Sequence, residues 1–322
     1  MKKIMIAFAM ALTIAGCKSK KEEASVAVKS HDEKMAELFP KPKLEIRTVG
    51  VLLYDGYSTL DAMGPYNVLG ELMGTHVFFV GRHRGLIENA SGMKVLADTS
   101  IAEVKHLDIL VIPGGFKETY ELTKDTTLLN WIRSIDSSSV FTTSVCTGAW
   151  ILGATGLLKD KEATTHWYGK KMLAEDFGAK VVDKRYTRSG KYWTSAGITA
   201  GIDMSLALIN EIAGENYTKA AMLDLEYDPQ PPFKGGTDRN TDTPIVNSMR
   251  SLYDMGMEQV LHPVTAYKDA KLANTMDLYC GMPLKAIGVG DTVRYMGKVY
   301  GFCSKGCKQG FLKDPARYLS SR

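Results

Sequence analysis

SVFTTSVCTGAWILGATGLLKDKEATTHW, Ser139 to Trp167, is the stretch on which the reading of this chain turns. It opens with an apolar, β-branched run, Val140–Val145, that follows a serine turn signal at Ser137–Ser139 and has the composition of a strand. Cys146 comes next, and Thr147–Leu158 reads as a helix that begins with small residues. A side chain at so abrupt a strand-to-helix turn stands at the end of a sheet and faces unpaired helix N–H groups. That is the geometry of a nucleophile elbow. The helix dipole favours a thiolate, so the location is expected to lower the Cys146 pKa below the ordinary thiol value of about 8.5. A buried structural cysteine fits the same residues, because cysteine is among the residue types most often buried.

Outward from this stretch, short apolar runs alternate with longer helical segments. Ile46–Leu53, Val77–Val80 and Ile109–Ile112 read as strands, and Asp61–Met73 and Leu128–Ile135 as helices. Such alternation implies an α/β fold, a parallel sheet covered by helices on both faces. Ligands bind such sheets beyond the carboxyl ends of the strands. Tyr54–Asp61, the Pro113-Gly114-Gly115 loop and Cys146 all fall there. Any one of them is explained by turn chemistry; three at one rim point to a site. The length of 322 residues allows about two domains. A formal net charge of +4, with no basic cluster interleaved with aromatics, argues against a nucleic-acid partner.

The N-terminus has its own logic. Lys2 and Lys3 precede an apolar run, Ile4–Ile14, and then Ala15-Gly16-Cys17. A positive start, a short apolar core and small residues before a cut describe a secretory signal. Ile14-Ala15-Gly16-Cys17 resembles the bacterial lipobox, which would make Cys17 the lipidated first residue of the mature chain. A plain signal peptide or an N-terminal core helix would read similarly. Lys18–Lys43 is charged and poor in apolar residues, as a solvated tether is.

Seven motifs occur in order: Asp55-Gly56; Leu60-Asp61-Ala62-Met63-Gly64-Pro65; Ile112-Pro113-Gly114-Gly115; Ser144-Val145-Cys146-Thr147-Gly148-Ala149; Ala163-Thr164-Thr165-His166-Trp167; Thr194–Asp203; and Glu226–Phe233. On these residues the region 47–245 resembles the DJ-1/PfpI (ThiJ/PfpI) superfamily and is most similar to its isonitrile hydratase branch. The resemblance implies a class I glutamine amidotransferase-like (flavodoxin-like) fold. It implies Cys146 as nucleophile, Asp61 as its acidic partner, and Gly115 and Thr147 as sources of backbone N–H groups for developing negative charge. Asp61 could equally be a helix N-cap. His166 stands where a histidine recurs near the cysteine, as a supporting group or a buried structural one. Thr147 follows the cysteine where the protease-like branch carries histidine, which counts against peptidase and deglycase assignments. The resemblance further implies a homodimer, no cofactor for this domain, and a small-molecule electrophile as substrate.

The composition changes after Phe233. Lys234–Thr243 is a polar loop, Ile245–Val260 reads as a helix, and Pro263–Thr275 is linker-like. Cys280 then precedes Gly281-Met282, a hairpin centred on Gly297 follows, and Cys303 and Cys307 lie four apart on the way into a short helix. Side chains at i and i+4 share a helix face, so the three cysteines can converge on one ion. A Cys303–Cys307 disulfide is the alternative for an exported chain. This segment resembles the YHS (TRASH-like) metal-binding module. Thiolates favour zinc or monovalent copper, and Asp277, Met282, His262 or an external ligand could complete the set.

The chain thus divides into a lipoprotein signal (1–17), a tether (18–44), a DJ-1/PfpI-like domain (45–260), a linker (261–275) and a YHS domain (276–322). Two functions fit: an exported, lipid-anchored enzyme that adds water to an isonitrile-like electrophile through Cys146, facing the periplasm or the cell surface, or a non-enzymatic sensor or carrier of oxidants and metal ions.

Overall fold

A computed structural model describes residues 30–261 and 271–319. The signal segment with Cys17, residues 18–29 of the tether, and His262 lie outside the described residues. Helix α1 (His31–Leu38) is exposed throughout, and its Ser30–Glu33 capping box satisfies two N–H groups at its start.

The first domain is built on a seven-stranded sheet. Its strands are β1 (Thr48–Leu53), β2 (His76–Gly81), β5 (Thr99–Ser100), β6 (Ile109–Ile112), β7 (Phe141–Val145), β10 (Tyr186–Ser189) and β11 (Tyr192–Ser195), in the order β10-β11-β7-β6-β1-β2-β5. All neighbours are parallel except β10 and β11, whose pairing Tyr186↔Ser195 is antiparallel. Central strands β6 and β7 are buried along their whole length. Burial on both faces is why they read as continuous runs rather than alternating ones. A hairpin, β3 (Gly85–Glu88) with β4 (Lys94–Ala97), and a short pair, β8 (Glu162–Ala163) with β9 (Lys180–Val181), lie outside the sheet.

Helices cover both faces. On one side α2 (Thr59–Gly70) packs on α7 (Ala200–Ala213), which in turn meets α8 (Glu215–Asp224). On the other, α5 (Gly148–Ala154) is flanked by α3 (Lys117–Leu122), α4 (Thr126–Asp136) and α6 (Lys170–Glu175), with α9 (Thr243–Leu261) against α3. The α4 helix shows why the sequence folds so: the Asp125 carboxylate caps the Leu128 N–H, and Leu128, Ile132 and Ile135 recur on the buried face. The segment read as a helix through Leu158 stops at Ala154, because Gly156 takes a left-handed φ of 84°.

The C-terminal module contains α10 (Leu284–Ile287), the hairpin β12 (Asp291–Tyr295) and β13 (Lys298–Phe302), α11 (Lys305–Lys313) and α12 (Pro315–Leu319). Met296 and Gly297 form the two-residue turn, both with positive φ, as tight hairpins require. Its core is small: Tyr300, Phe302 and Phe311. Residues 271–275 also belong to its packed structure, since Asn274 brackets Gly301 by donating to its carbonyl and accepting from its N–H.

Candidate active site and thiol cluster

Strand β7 ends at Val145, and Cys146 turns the chain with a φ of 57° before α5 begins. Left-handed backbone at a non-glycine residue is strained and persists only where its surroundings enforce it. Here the Cys146 N–H lies 3.2 Å from the carbonyls of Ser195 and Ala196, and the Thr165 hydroxyl donates to the Cys146 carbonyl at 2.7 Å. A glycine after the elbow is obligatory: a Cβ at Gly148 would fall 2.2 Å from the Ile112 carbonyl. The cysteine is nearly enclosed, at 6% exposure.

Asp61 is fully buried beside it. It is not the N-cap of α2, a position held by Ser58; it sits in the first turn, and its Oδ2 accepts the Gly114 N–H at 3.1 Å. Oδ1 has no hydrogen bond of ordinary geometry among the described residues. Burial raises the Asp61 carboxyl to about 7, against contacts with the Cys146 thiol and the N–H groups of Gly114 and Ile198 that favour its charged form.

The expected lowering of the thiol pKa is not what the structure produces. Burial first, and then the Asp61 carboxylate, push the Cys146 thiol well up; the N–H groups of Thr147 and Ile198 oppose this without reversing it. Desolvation and the neighbouring carboxylate together outweigh the N–H groups at the elbow. Two buried acids side by side resist being ionised together, so the pair retains a proton through neutral pH.

The N–H groups aimed at the sulfur are those of Thr147 and Ile198. Gly115 lines the cavity, but its own N–H donates to Thr147 Oγ1 at 3.0 Å, and that hydroxyl donates back to the Gly115 carbonyl at 2.6 Å. Gly115 therefore fixes the Thr147 side chain instead of presenting its N–H. The loop before it is held by the Tyr54 hydroxyl, which donates to the Pro113 carbonyl at 2.8 Å.

Above the elbow lies a cavity of about 330 Å³, at the small end of the range for small-molecule sites. Cys146, Thr147 and Ile198 form its floor, and Phe116, His166, Tyr168 and Tyr253 line its aromatic side. Burial holds the His166 imidazole down at about 4, so it is neutral at physiological pH. Its ring packs edge-on to Tyr253, which stacks on Tyr168 at 4.8 Å. The sequence reading gave no site role to Tyr253, nor to Ile198, which it quoted only as part of a motif. Tyr253 sits on a helix more than 100 positions after the cysteine, and Ile198 contributes only its backbone.

In the C-terminal module Asp277, Cys280, Cys303 and Cys307 bring their ligand atoms within 4.8 Å of one another. The Cys280 and Cys303 sulfurs are 3.7 Å apart, and those of Cys303 and Cys307 are 3.3 Å apart. A tetrahedral ion with metal–sulfur bonds of about 2.3 Å spaces its sulfurs by roughly 3.8 Å; the Cys280–Cys303 pair matches this, and the Cys303–Cys307 pair would have to open slightly to receive a soft cation. None of the four described cysteines is in a disulfide. Asp277 is buried and shapes the site: Oδ1 accepts the N–H groups of Tyr279 and Cys280, and Oδ2 accepts that of Cys303 at 2.7 Å. Burial, then the Cys307 and Asp277 neighbours, push the Cys303 thiol up, and burial raises Cys280 as well. A bound cation would reverse both.

Comparison with known proteins gives two family matches: the DJ-1/PfpI family over residues 47–211 and the YHS domain over residues 276–322. Isonitrile hydratase of Pseudomonas putida is 37% identical over 202 residues, covering 63% of this chain and 88% of that enzyme. The HTH-type transcriptional regulator CdhR of Pseudomonas aeruginosa is 31% identical over 131 residues, 40% of this chain and 38% of the regulator. Among solved structures, a THiJ/PfpI family protein from Pseudomonas syringae superposes with a TM-score of 0.67 at 29% identity, over 74% of this chain and 97% of that one. Drosophila melanogaster DJ-1beta shares the fold with a TM-score of 0.52 at 22% identity, over 56% and 98%.

Proposed function

The chain belongs to the DJ-1/PfpI family and carries a C-terminal YHS domain, and from that premise we propose that it is a cysteine-dependent hydratase acting on an isonitrile or a similar small electrophile. The observation that carries this reading is the buried Asp61–Cys146 pair, which holds a transferable proton beneath an aromatic-lined cavity. The 37% identity to isonitrile hydratase supports the same chemistry.

The reaction follows from the parts. The Cys146 sulfur adds to the terminal isonitrile carbon, forming a C–S bond, while the proton shared with Asp61 passes to that carbon and gives a thioimidate. Negative charge that develops at sulfur or at the adduct meets the N–H groups of Thr147 and Ile198. Water then adds to the thioimidate carbon; one of its protons passes through Asp61 to nitrogen, and the other passes to the sulfur as it departs. The C–S bond breaks, an N-substituted formamide leaves, and the thiol is restored. Neutral His166 and the aromatic wall exclude bulk water and take the apolar substituent. A carboxyl poised near 7 can both give and accept a proton at working pH.

The test is formamide production from alkyl and aryl isonitriles, followed by mass spectrometry. Cys146→Ala should abolish it, and Asp61→Asn should lower kcat by roughly 100-fold or more, the scale of general acid–base catalysis. Undiminished turnover in Cys146→Ala rules the reading out. For the YHS domain, the spacing of the thiols supports zinc or monovalent copper as the resident ion. Cys280, Cys303 and Cys307 would hold it and so draw their segments together, and Asp277 orients the loop that carries Cys280.

A further inference from the structure

Helix α10 of the C-terminal module does not stand apart from the first domain. Lys285 and Ala286 line the same cavity that Cys146 floors. Lys285 Nζ pairs with the Glu88 carboxylate at the end of β3. On the opposite side, Gly256 of α9 lies under the Ile287 carbonyl, 3.7 Å from where its Cβ would be, and against the Phe116 ring. That α9 turn also carries Tyr253 and is tied down by Tyr168, whose hydroxyl donates to Asp254 at 2.9 Å. α10 therefore bridges the β3–β4 hairpin and α9, the two sides of the cavity mouth.

The thiol cluster is joined to this bridge by very little chain. The loop Asp277–Met282 is closed by hydrogen bonds from Asp277 N–H to the Met282 carbonyl, at 2.7 Å, and from Gly281 N–H to the Asp277 carbonyl, at 2.8 Å. Pro283 follows, and then α10 begins. Leu284 anchors α10 in the module, with its N–H on the Thr275 carbonyl and its side chain buried against Gly301. A change in order at Cys280 has no slack to lose before it reaches Lys285.

We propose that the C-terminal module forms part of the Cys146 pocket: α10 closes its mouth, Ala286 limits the size of what enters, and a soft cation on Cys280, Cys303 and Cys307 steadies that closure. Access to Cys146 is then coupled to the state of the thiol cluster, since whatever orders α10 favours the closed mouth. The inference concerns access, and it holds whichever electrophile reacts at Cys146.

The experiment uses the full chain, with zinc added or removed by chelation. Hydrogen exchange is followed in segments 85–91 and 250–257, and Cys146 alkylation at pH 8.5 by iodoacetamide and by a bulky maleimide is read by peptide mass spectrometry. Zinc should slow exchange in both segments and slow the maleimide more than iodoacetamide. Ala286→Trp should slow the maleimide about tenfold. Lys285→Glu should raise exchange at 85–91 about threefold, as loss of an exposed ion pair allows, and combining it with Glu88→Lys should restore protection. The exposed Lys285 site avoids reliance on a core substitution. If zinc alters exchange only within 276–319, and Lys285→Glu and Ala286→Trp leave both segments and both labelling rates as in wild type, the proposal is overturned. Failure of Cys146 to label in any variant would reflect its raised thiol pKa, and exchange then decides the question of closure by itself.

Discussion

At the scale of single residues, the site is governed by desolvation. Asp61 rises from its ordinary 3.8 to about 7, and His166 falls from 6.5 to about 4, both because burial penalises charge. Their linkages to stability oppose one another. Between about pH 4 and 7 the native Asp61 holds a proton the unfolded chain has lost, so its contribution to stability falls as pH rises. Between about pH 4 and 6.5 the unfolded His166 binds a proton the native one refuses, so its contribution grows as pH rises. Each slope is at most about 1.4 kcal/mol per pH unit, and in the wild type they largely cancel. Urea unfolding across this range should separate them: Asp61→Asn becomes more stable as pH climbs from 4 to 6.5, and His166→Gln becomes less stable. At pH 8, Asp61→Asn should also exceed wild-type stability by about 1–3 kcal/mol, since it removes a buried charge. Wild-type profiles in both variants would refute the assignment. The fall at His166 and the rise at Cys146 were not legible in the sequence, which showed the elbow and its helix start but not the depth of burial that reverses their effect on Cys146.

At the scale of elements, the strand-to-helix joint holds the site together. Gly148 lets α5 start directly against β6, whose Ile112 carbonyl occupies the space a side chain would need. Gly148→Ala should therefore cost about 1–3 kcal/mol and shift Cys146. Gly70, at the exposed end of α2 with nothing within 4 Å of its Cβ position, should tolerate alanine or gain up to about 1 kcal/mol from it. Thermal melts with a turnover assay compare the two, and equal effects would show that the close approach at Gly148 is unimportant. The reading of β1, β6, β7 and α4 came directly from apolar runs and periodicity. The β3–β4 hairpin and the β10–β11 pair were not read: β3, β4 and β10 are mostly part-exposed, and largely buried β11 is four residues long with polar Thr194 and Ser195, so none carries a sustained apolar run.

At the scale of the whole molecule, two modules meet over one cavity, and the smaller carries the thiol cluster. Three core aromatics give that module little hydrophobic stability of its own. Zinc should therefore raise its unfolding temperature, release protons on uptake, and bind more weakly as pH falls, because coordination needs thiolates. Cys280→Ser should reduce zinc affinity by more than the roughly 10–100-fold typical of losing a supporting group. Calorimetry in two buffers of different ionisation enthalpy reads the protons, and zinc uptake without proton release would contradict coordination by these thiols. The sequence by itself determined the α/β architecture, the strand-to-helix elbow at Cys146 and the short spacing of the C-terminal cysteines, because local periodicity, turn chemistry and short spacings encode these; Asp61 was picked out by the resemblance to the family and by no local pattern. Only the tertiary structure decided which N–H groups face the sulfur, that Tyr253 and α10 close the cavity, and that burial overrides the helix terminus in setting the proton's place. Those outcomes depend on groups far apart in sequence and on how much water is excluded between them, and no local pattern carries either.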